Sequence, residues 1–157
     1  MTPPRTFAIG DLHGCSQALA DVLREIAPRP EDTIVTLGDY INRGPDTHGV
    51  IEQLLALRDR CRLVSLLGNH DEVLLDILDG RVDDARLMAA GGQQTIDSYE
   101  HAASLRDLPS EHVKFLRSCV LSHESATHLF AHGCYDPIRP LTETDGNTLL
   151  WKRLEPP

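Results

Sequence analysis

The sequence predicts an α/β fold, and three observations predict it. Short apolar or β-branched runs recur at Thr6 to Ile9, Thr33 to Leu37 and Arg62 to Leu67, each followed by a helical pattern. Each run ends in a polar string flanked by glycine. The chain has 157 residues, enough for one domain with a real core. The order β-α-β-α-β-α argues for largely parallel pairing with right-handed crossovers. Residues 1–157 read as a single domain, without internal repeat, low-complexity segment or linker.

Each element has its own justification. Ser16 to Ile26 is an amphipathic helix, with Ser16 as the expected cap and Leu19, Val22, Leu23 and Ile26 on one face. Pro28 and Pro30 end it. Pro45-Asp46-Thr47 opens a second helix carrying Val50, Ile51, Leu54 and Leu55, and Asp71 to Leu78 is a third, closed by Gly80. Asp83 to Arg117 reads as helical and polar, interrupted at Gly91-Gly92 and restarting at Pro109-Ser110. It carries no catalytic signature and suits a cap that shapes access. Val120 to Ser122 and Thr127 to Ala131 read as two strands joined by a short turn, which switches the pairing to antiparallel. Turn residues, Leu149-Leu150-Trp151 and a terminal Pro156-Pro157 follow.

Bulk properties narrow the chemistry. No apolar run approaches the roughly 20 residues that span a bilayer, and no basic-then-apolar leader opens the chain. The expectation is a cytoplasmic protein without a membrane partner. The four cysteines show no paired spacing, so reduced thiols are expected rather than a zinc ribbon. A formal net charge of −9 argues against binding a nucleic acid duplex. An anionic substrate would need bound cations and a few placed arginines.

Three strings carry the chemistry: Gly10-Asp11-Leu12-His13-Gly14, Gly38-Asp39-Tyr40-Ile41-Asn42-Arg43-Gly44 and Gly68-Asn69-His70-Asp71. In a parallel sheet all three leave the carboxyl ends of strands, the edge at which open α/β sheets bind ligands. Asp11 and His13 can face one metal, Asp39 can bridge two, and Asn69 and His132 add an amide oxygen and a nitrogen. Mixed oxygen and nitrogen donors suit manganese, iron, zinc or cobalt better than calcium. Two such cations, about 4 Å apart, can share a hydroxide and clamp phosphate oxygens. Arg43 is placed for bidentate contact with a phosphoryl group, with pairing to Asp46 as the plainer alternative. His70 can protonate a leaving alkoxide. His48, His101, His112, His123 and His128 read as surface or satisfied core residues.

With those strings in order, the sequence resembles the calcineurin-like metallophosphoesterases. Gly-Asp-x-His-Gly and Arg-Gly-Pro-Asp resemble the serine/threonine phosphatase-like branch, including its bacterial lambda-type members, which also contains the symmetrical diadenosine tetraphosphate hydrolases. The resemblance implies a β-sandwich flanked by helices (αββα). It implies two divalent metal ions, manganese first, with iron, zinc, cobalt or nickel as alternatives. It places Asp11, His13 and Asp39 at one metal and Asp39, Asn69 and His132 at the other. It makes Arg43 a phosphate ligand, with Arg153 after Trp151-Lys152 as a second. It makes His70 the general acid, supported by Asn42.

Three departures stand out. Asn42 occupies a position usually held by Asp in the protein phosphatases; it can still accept a hydrogen bond from His70, but raises the imidazole pKa less. Leu67 replaces an arginine there and is closer to the tetraphosphate hydrolases. The last Gly-His-Thr ligand string has no counterpart, so the resemblance implies an architecture cut short at its C-terminus. The expected substrate is a phosphomonoester, a phosphorylated protein or a small phosphoester. The alternatives are symmetrical dinucleoside tetraphosphate hydrolysis and a metal-poor remnant that binds phosphate without turnover.

Overall fold

The computed structural model describes residues 3–153. Strands β1 (Thr6–Ile9), β2 (Thr33–Thr36) and β3 (Arg62–Ser65) form a parallel sheet in the order β1-β2-β3. Thr6 pairs with Thr33 and Ile9 with Thr36; Thr33 pairs with Arg62 and Thr36 with Ser65. The three strands therefore end level, and the turns leaving them share one edge. β2 is central, and its Ile34, Val35 and Thr36 are fully buried, as expected for a strand covered on both faces. Edge strand β1 alternates exposed and half-buried residues.

Helices α1 (Ser16–Ile26), α2 (Thr47–Leu57) and α3 (Asn69–Leu78) occupy the expected places. Three details differ from the sequence reading. Ser16 does not cap α1; its hydroxyl donates to Asp46 Oδ2 at 2.5 Å. Asp46 is the stronger attraction because it is a carboxylate already capping α2, accepting from Gly49 N at 2.8 Å. Val22 is exposed, while Leu19 and Leu23 alone are buried on α1. α3 starts at Asn69 rather than Asp71, because Gly68 in extended conformation serves as its N-cap.

The stretch from Asp83 onward is less a polar cap than part of the core. It comprises α4 (Ala85–Leu87), a π-type turn (Met88–Gly92), α5 (Gln93–Asp97), a 3-10 turn (Leu105–Asp107) and α6 (Ser110–Arg117). Leu87, Ile96, Tyr99, Leu105, Phe115 and Leu116 from it are buried. The Phe115 ring meets Tyr40 edge-on, centroids 5.3 Å apart, and the Tyr40 hydroxyl donates to Leu66 O at 2.7 Å.

Val120 does not begin the antiparallel pair. It makes a parallel bridge with Leu66, donating to Ser65 O at 3.0 Å and accepting from Leu67 N at 2.8 Å, so it extends the β3 edge. The antiparallel pair is β4 (Ser122–Glu124) with β5 (Leu129–Ala131), Ser122 opposite Ala131. α7 (Gly146–Trp151) follows, capped by Asp145 accepting from Thr148 N at 2.9 Å. Pro156 and Pro157 lie outside the described residues. All four cysteines are free. Among the described residues no helix is long and apolar enough to cross a membrane.

A buried carboxylate ties the start of the sheet together. Asp32 is fully buried. It accepts from Arg5 N at 2.9 Å and Arg29 N at 2.9 Å and pairs with both guanidinium groups, Arg5 at 2.5 Å and Arg29 at 2.9 Å. Those bonds, the Arg5 side chain first, hold its carboxyl far below the usual range. A depressed folded-state pKa gives stability that is present above the unfolded value near 4 and lost as pH falls through the folded one. Asp32→Asn should therefore lower the melting temperature at pH 7. The gap to the native chain should narrow progressively below about pH 4, as thermal melts across that range would show; a gap constant with pH would count against the ion triad.

Candidate metal centre

The three turns at the sheet edge are held against one another by backbone. Leu12 N and His13 N donate to Asp39 O at 3.1 and 2.7 Å, and Gly14 N to Tyr40 O at 2.9 Å. The turns after β2 and β3 touch at glycines: a Cβ on Gly38 would lie 2.4 Å from Gly68 N, and one on Gly68 2.1 Å from Asp39 N. Gly38 also has φ +99°, so glycine is required there on two counts. Among the described residues, five non-glycine residues hold φ in the left-handed region: His13, Asp39, Asn42, Arg43 and Ala27. The last ends a helix; the other four are sequence-predicted site residues. Such conformations cost roughly 1–3 kcal/mol each and persist where surrounding structure over-determines them.

The turns bring the predicted donors together. Asp39 is central. Its Oδ2 lies 3.4 Å from His13 Nε2 and its Oδ1 3.6 Å from His132 Nε2. Asp11 lies between the same two histidines, Oδ2 4.0 Å from His13 Nε2 and Oδ1 3.9 Å from His132 Nδ1. Asn69 Oδ1 is 2.9 Å from His132 Nε2. Two groups, His13-Asp39-His70 and Asp11-Asp39-His132, each place one donor atom per residue within 4.8 Å of the others. Both share Asp39. The division differs from the expected one in that His70 approaches the His13 group and Asp11 leans equally toward His132.

The ring orientations fit divalent cations. His13 Nδ1 donates to Ile41 O at 2.8 Å and His132 Nδ1 to Leu37 O at 2.7 Å. Each bond fixes the tautomer and leaves the Nε2 lone pair facing the Asp39 carboxylate, the usual support of a metal-binding histidine. His132 Nε2 and Asn69 Oδ1 are then two acceptors facing each other, which calls for a shared cation or a protonated ring. Arg43 Nη1 donates to His13 Nε2 at 2.7 Å, and Nη2 lies 3.2 Å from His70 Nε2. Asp46, its alternative partner, is committed to α2.

Asp71 does not contact the His70 ring. Its buried carboxylate accepts from Asp39 N at 2.8 Å, Tyr40 N at 3.1 Å and Gly68 N at 3.0 Å. Burial and the nearby Asp39 charge push its carboxyl up to about 7, against the pull of those three amides. His70 itself is pushed down by burial, with Asp39 pulling it back up and His13, Arg43 and His132 adding to the fall. Asn42 sits where expected, its carboxamide 2.8 Å from His70 Nδ1. It donates through Nδ2 rather than accepting, because Thr95 Oγ1 donates to its Oδ1 at 2.9 Å.

Thr95 and Gly91, from the stretch without a catalytic signature, are the residues sequence reasoning missed. Gly91 O accepts from Arg43 N at 3.3 Å. Only the Gly91-Gly92 break marked this segment, and it read as a helix interruption. A cavity of about 320 Å³ opens over Asp11, Asp39, Asn69, His70 and His132, with Arg43 and Arg153 in its wall. A larger hollow of about 760 Å³ adjoins it across Trp151 and includes Arg86, whose guanidinium lies 4.4 Å over the indole. His112 is a satisfied core residue: its Nδ1 meets the Tyr99 hydroxyl at 2.9 Å and its Nε2 Glu52 at 2.7 Å.

The model of the calcineurin-like phosphoesterases matches residues 4–155. The chain belongs to that family. Its similar relatives include a symmetrical bis(5'-nucleosyl)-tetraphosphatase of Janthinobacterium sp. (strain Marseille), 40% identical over 81% of this chain and 42% of that protein. They also include serine/threonine-protein phosphatase 1 of Salmonella typhimurium, 31% identical over 94% of this chain and 68% of that protein. A solved structure assigned to a diadenosine tetraphosphatase superposes with a TM-score of 0.70 at 26% identity, covering 92% of this chain and 57% of that one. A metallophosphoesterase from Sphaerobacter thermophilus shares the fold, with a TM-score of 0.57 at 22% identity over 95% of this chain and 50% of that one. The chain thus spans about 42% of the length of the tetraphosphatase relative it matches. Family membership implies divalent metal ions, and the Asp39-centred donors are where this fold gathers candidates for them.

Two substitutions separate the parts. Asp39→Asn should abolish high-affinity manganese uptake, measured by equilibrium dialysis, while leaving the fold intact by circular dichroism. Asp71→Asn turns an amide donor toward amide donors and should cost roughly 1–3 kcal/mol of stability, read by urea denaturation, with weaker metal binding as a consequence.

Proposed function

We propose that the chain hydrolyses a phosphoric anhydride with two divalent cations, and that its substrate is a dinucleoside tetraphosphate cut into equal halves. The observation that carries the chemistry is the Asp39 carboxylate, whose two oxygens face two separate donor groups. Asp11, His13 and Asp39 would hold one cation and Asp39, Asn69 and His132 the other, with manganese first among manganese, iron, zinc, cobalt and nickel. Cations so held supply Lewis-acid charge and an activated water. Arg43 and Arg153 bind the substrate's phosphate oxygens and orient them. His70, its Nε2 3.9 Å from Asp39 Oδ2, would protonate the leaving oxygen when its ring carries both protons.

The substrate class rests on three further points. Several of the similar curated relatives are named as symmetrical tetraphosphatases, and the protein phosphatase relative is less identical. This reverses the order in which the sequence alone ranked the two. Leu67 is packed against the core, so the side chain before Gly-Asn-His supplies no guanidinium for a protein phosphate. Asn42 supports His70 without a charge. That suits a leaving group that needs less protonation: a terminal phosphate ionises near pH 6, whereas a serine alkoxide needs a proton. The hollow beyond Trp151, with Arg86 over the indole, offers a surface on which the distal nucleoside can stack.

Manganese-loaded protein should convert diadenosine tetraphosphate to ADP alone, followed by anion-exchange chromatography. AMP with ATP would overturn the equal cut, and a higher kcat/KM on a phosphoserine peptide would return the substrate to the protein phosphatase class. No turnover of either, with both cations bound, would leave a binding remnant. Arg86→Ala should raise KM for the dinucleotide about fivefold, the effect of one exposed cation–π contact, and leave p-nitrophenyl phosphate hydrolysis unchanged.

A further inference from the structure

We propose that His48, Glu52 and His112 form a further cation site, separate from the Asp39 centre and suited to zinc, which clamps α2 to α6.

The three donors come from two helices. His48 and Glu52 are four residues apart on α2, so they project from one face. His112 stands in the first turn of α6. Its Nε2 meets Glu52 Oε1 at 2.7 Å. The His48 ring stands beside it, with the two imidazole centroids 5.1 Å apart. One nitrogen from each ring and one Glu52 oxygen all lie within 4.8 Å of one another. This group shares no residue with the two that meet at Asp39, and none of its members lines the cavity above them.

Two imidazoles and a carboxylate are a zinc-type donor set, with water as the fourth ligand. Calcium and magnesium prefer oxygen throughout. Bonds of about 2.1 Å to a tetrahedral zinc put its donors about 3.3 Å apart. Glu52 and His112 are already closer than that and need only part slightly. His48 and Glu52 are exposed, so both side chains can adjust at little cost. His112 is buried, and its Nδ1 lies 2.9 Å from the Tyr99 hydroxyl. With Nδ1 donating to that oxygen, Nε2 presents its lone pair toward Glu52, the support usual for a metal-binding ring. Zinc then takes the place of the proton that Nε2 and Oε1 otherwise share, so the ion pair and the cation site are two uses of one geometry.

The position explains what a cation would do there. Just beyond the other ends of the same helices, Arg58 donates to Ser118 Oγ at 2.8 Å and lies 5.0 Å from the centre of the Phe115 ring. The histidine group closes the opposite ends. The Tyr99 ring meets His48 and His112 edge-on, with centroids 5.3 and 5.5 Å away. Tyr99 follows α5, and His48 N donates to Ser98 Oγ at 3.3 Å. A cation would thus fasten three segments that are distant in sequence.

The test removes the Asp39 centre from the reading. Asp39→Asn protein should bind zinc, measured by isothermal titration calorimetry, and adding His48→Gln should weaken one of its zinc sites at least tenfold, the loss that even an outer partner of a metal ligand causes. At zinc one hundred times its Kd, the melting temperature of the first variant should rise about 5–10 °C more than that of the second. Equal zinc binding and equal melting shifts in the two variants, or no zinc bound by the first, would overturn the proposal. Long-range proton–nitrogen NMR of the native chain applies even if Asp39→Asn does not fold. Zinc should shift the ring nitrogens of His48 and His112 together, and rings left unmoved would overturn the site.

Discussion

The site depends on one buried carboxylate that never faces it. Asp71 gathers three amides, two from the turn after β2 and one from the turn after β3. Each of those amides points away from a ladder position, because the strands have just ended. Unpaired and buried, each would cost about 1–3 kcal/mol. A single side chain in the first turn of α3 satisfies all three, and the same contact sets the distance between Asp39 and Asn69. Burial and the Asp39 charge both oppose an ionised Asp71. Positive charge arriving near Asp39 relieves that opposition, so cation binding and the integrity of the two turns reinforce each other.

The strained residues follow from the same constraint. Two parallel strands bring their carboxyl ends within one ladder spacing, and a functional centre there has to be built from residues that turn at once. His13, Asp39, Asn42 and Arg43 take left-handed backbone although none is glycine. Their side chains could not be replaced by hydrogen without losing the chemistry, so neighbours hold the conformation instead: Asp71 behind Asp39, Thr95 behind Asn42 and Gly91 O behind Arg43. The glycines take the positions where backbone meets backbone, Gly38 against Gly68 above all.

Much of this was legible in the sequence, and the limits have physical causes. β1, β2, β3, α1 and α2 followed from periodicity and turn residues, because their apolar faces are local patterns. Asp11, His13, Asp39, Asn69, His70 and Arg43 were legible because the strings recur at strand ends, and Asn42 because it lies inside one. Thr95 was not, since a buried threonine in a short helix has no signature; its meaning comes from a partner 53 residues earlier. The Ser16 cap failed because a charged acceptor from α2 outbid the backbone of its own helix. Val120 failed because pairing to Leu66 lies outside any local pattern.

Charge sets the terms on which so acidic a chain could hold an anion. The net charge of −9 counts Asp11 and Asp39 among its acids, and these two carboxylates stand at the sheet edge. Taken alone, that centre repels phosphate. Two divalent cations there would contribute four positive charges against two carboxylates, and Arg43 and Arg153 line the same cavity. The attraction is therefore local and conditional on the cations, with more distant exposed charge screened over about 8 Å at physiological salt.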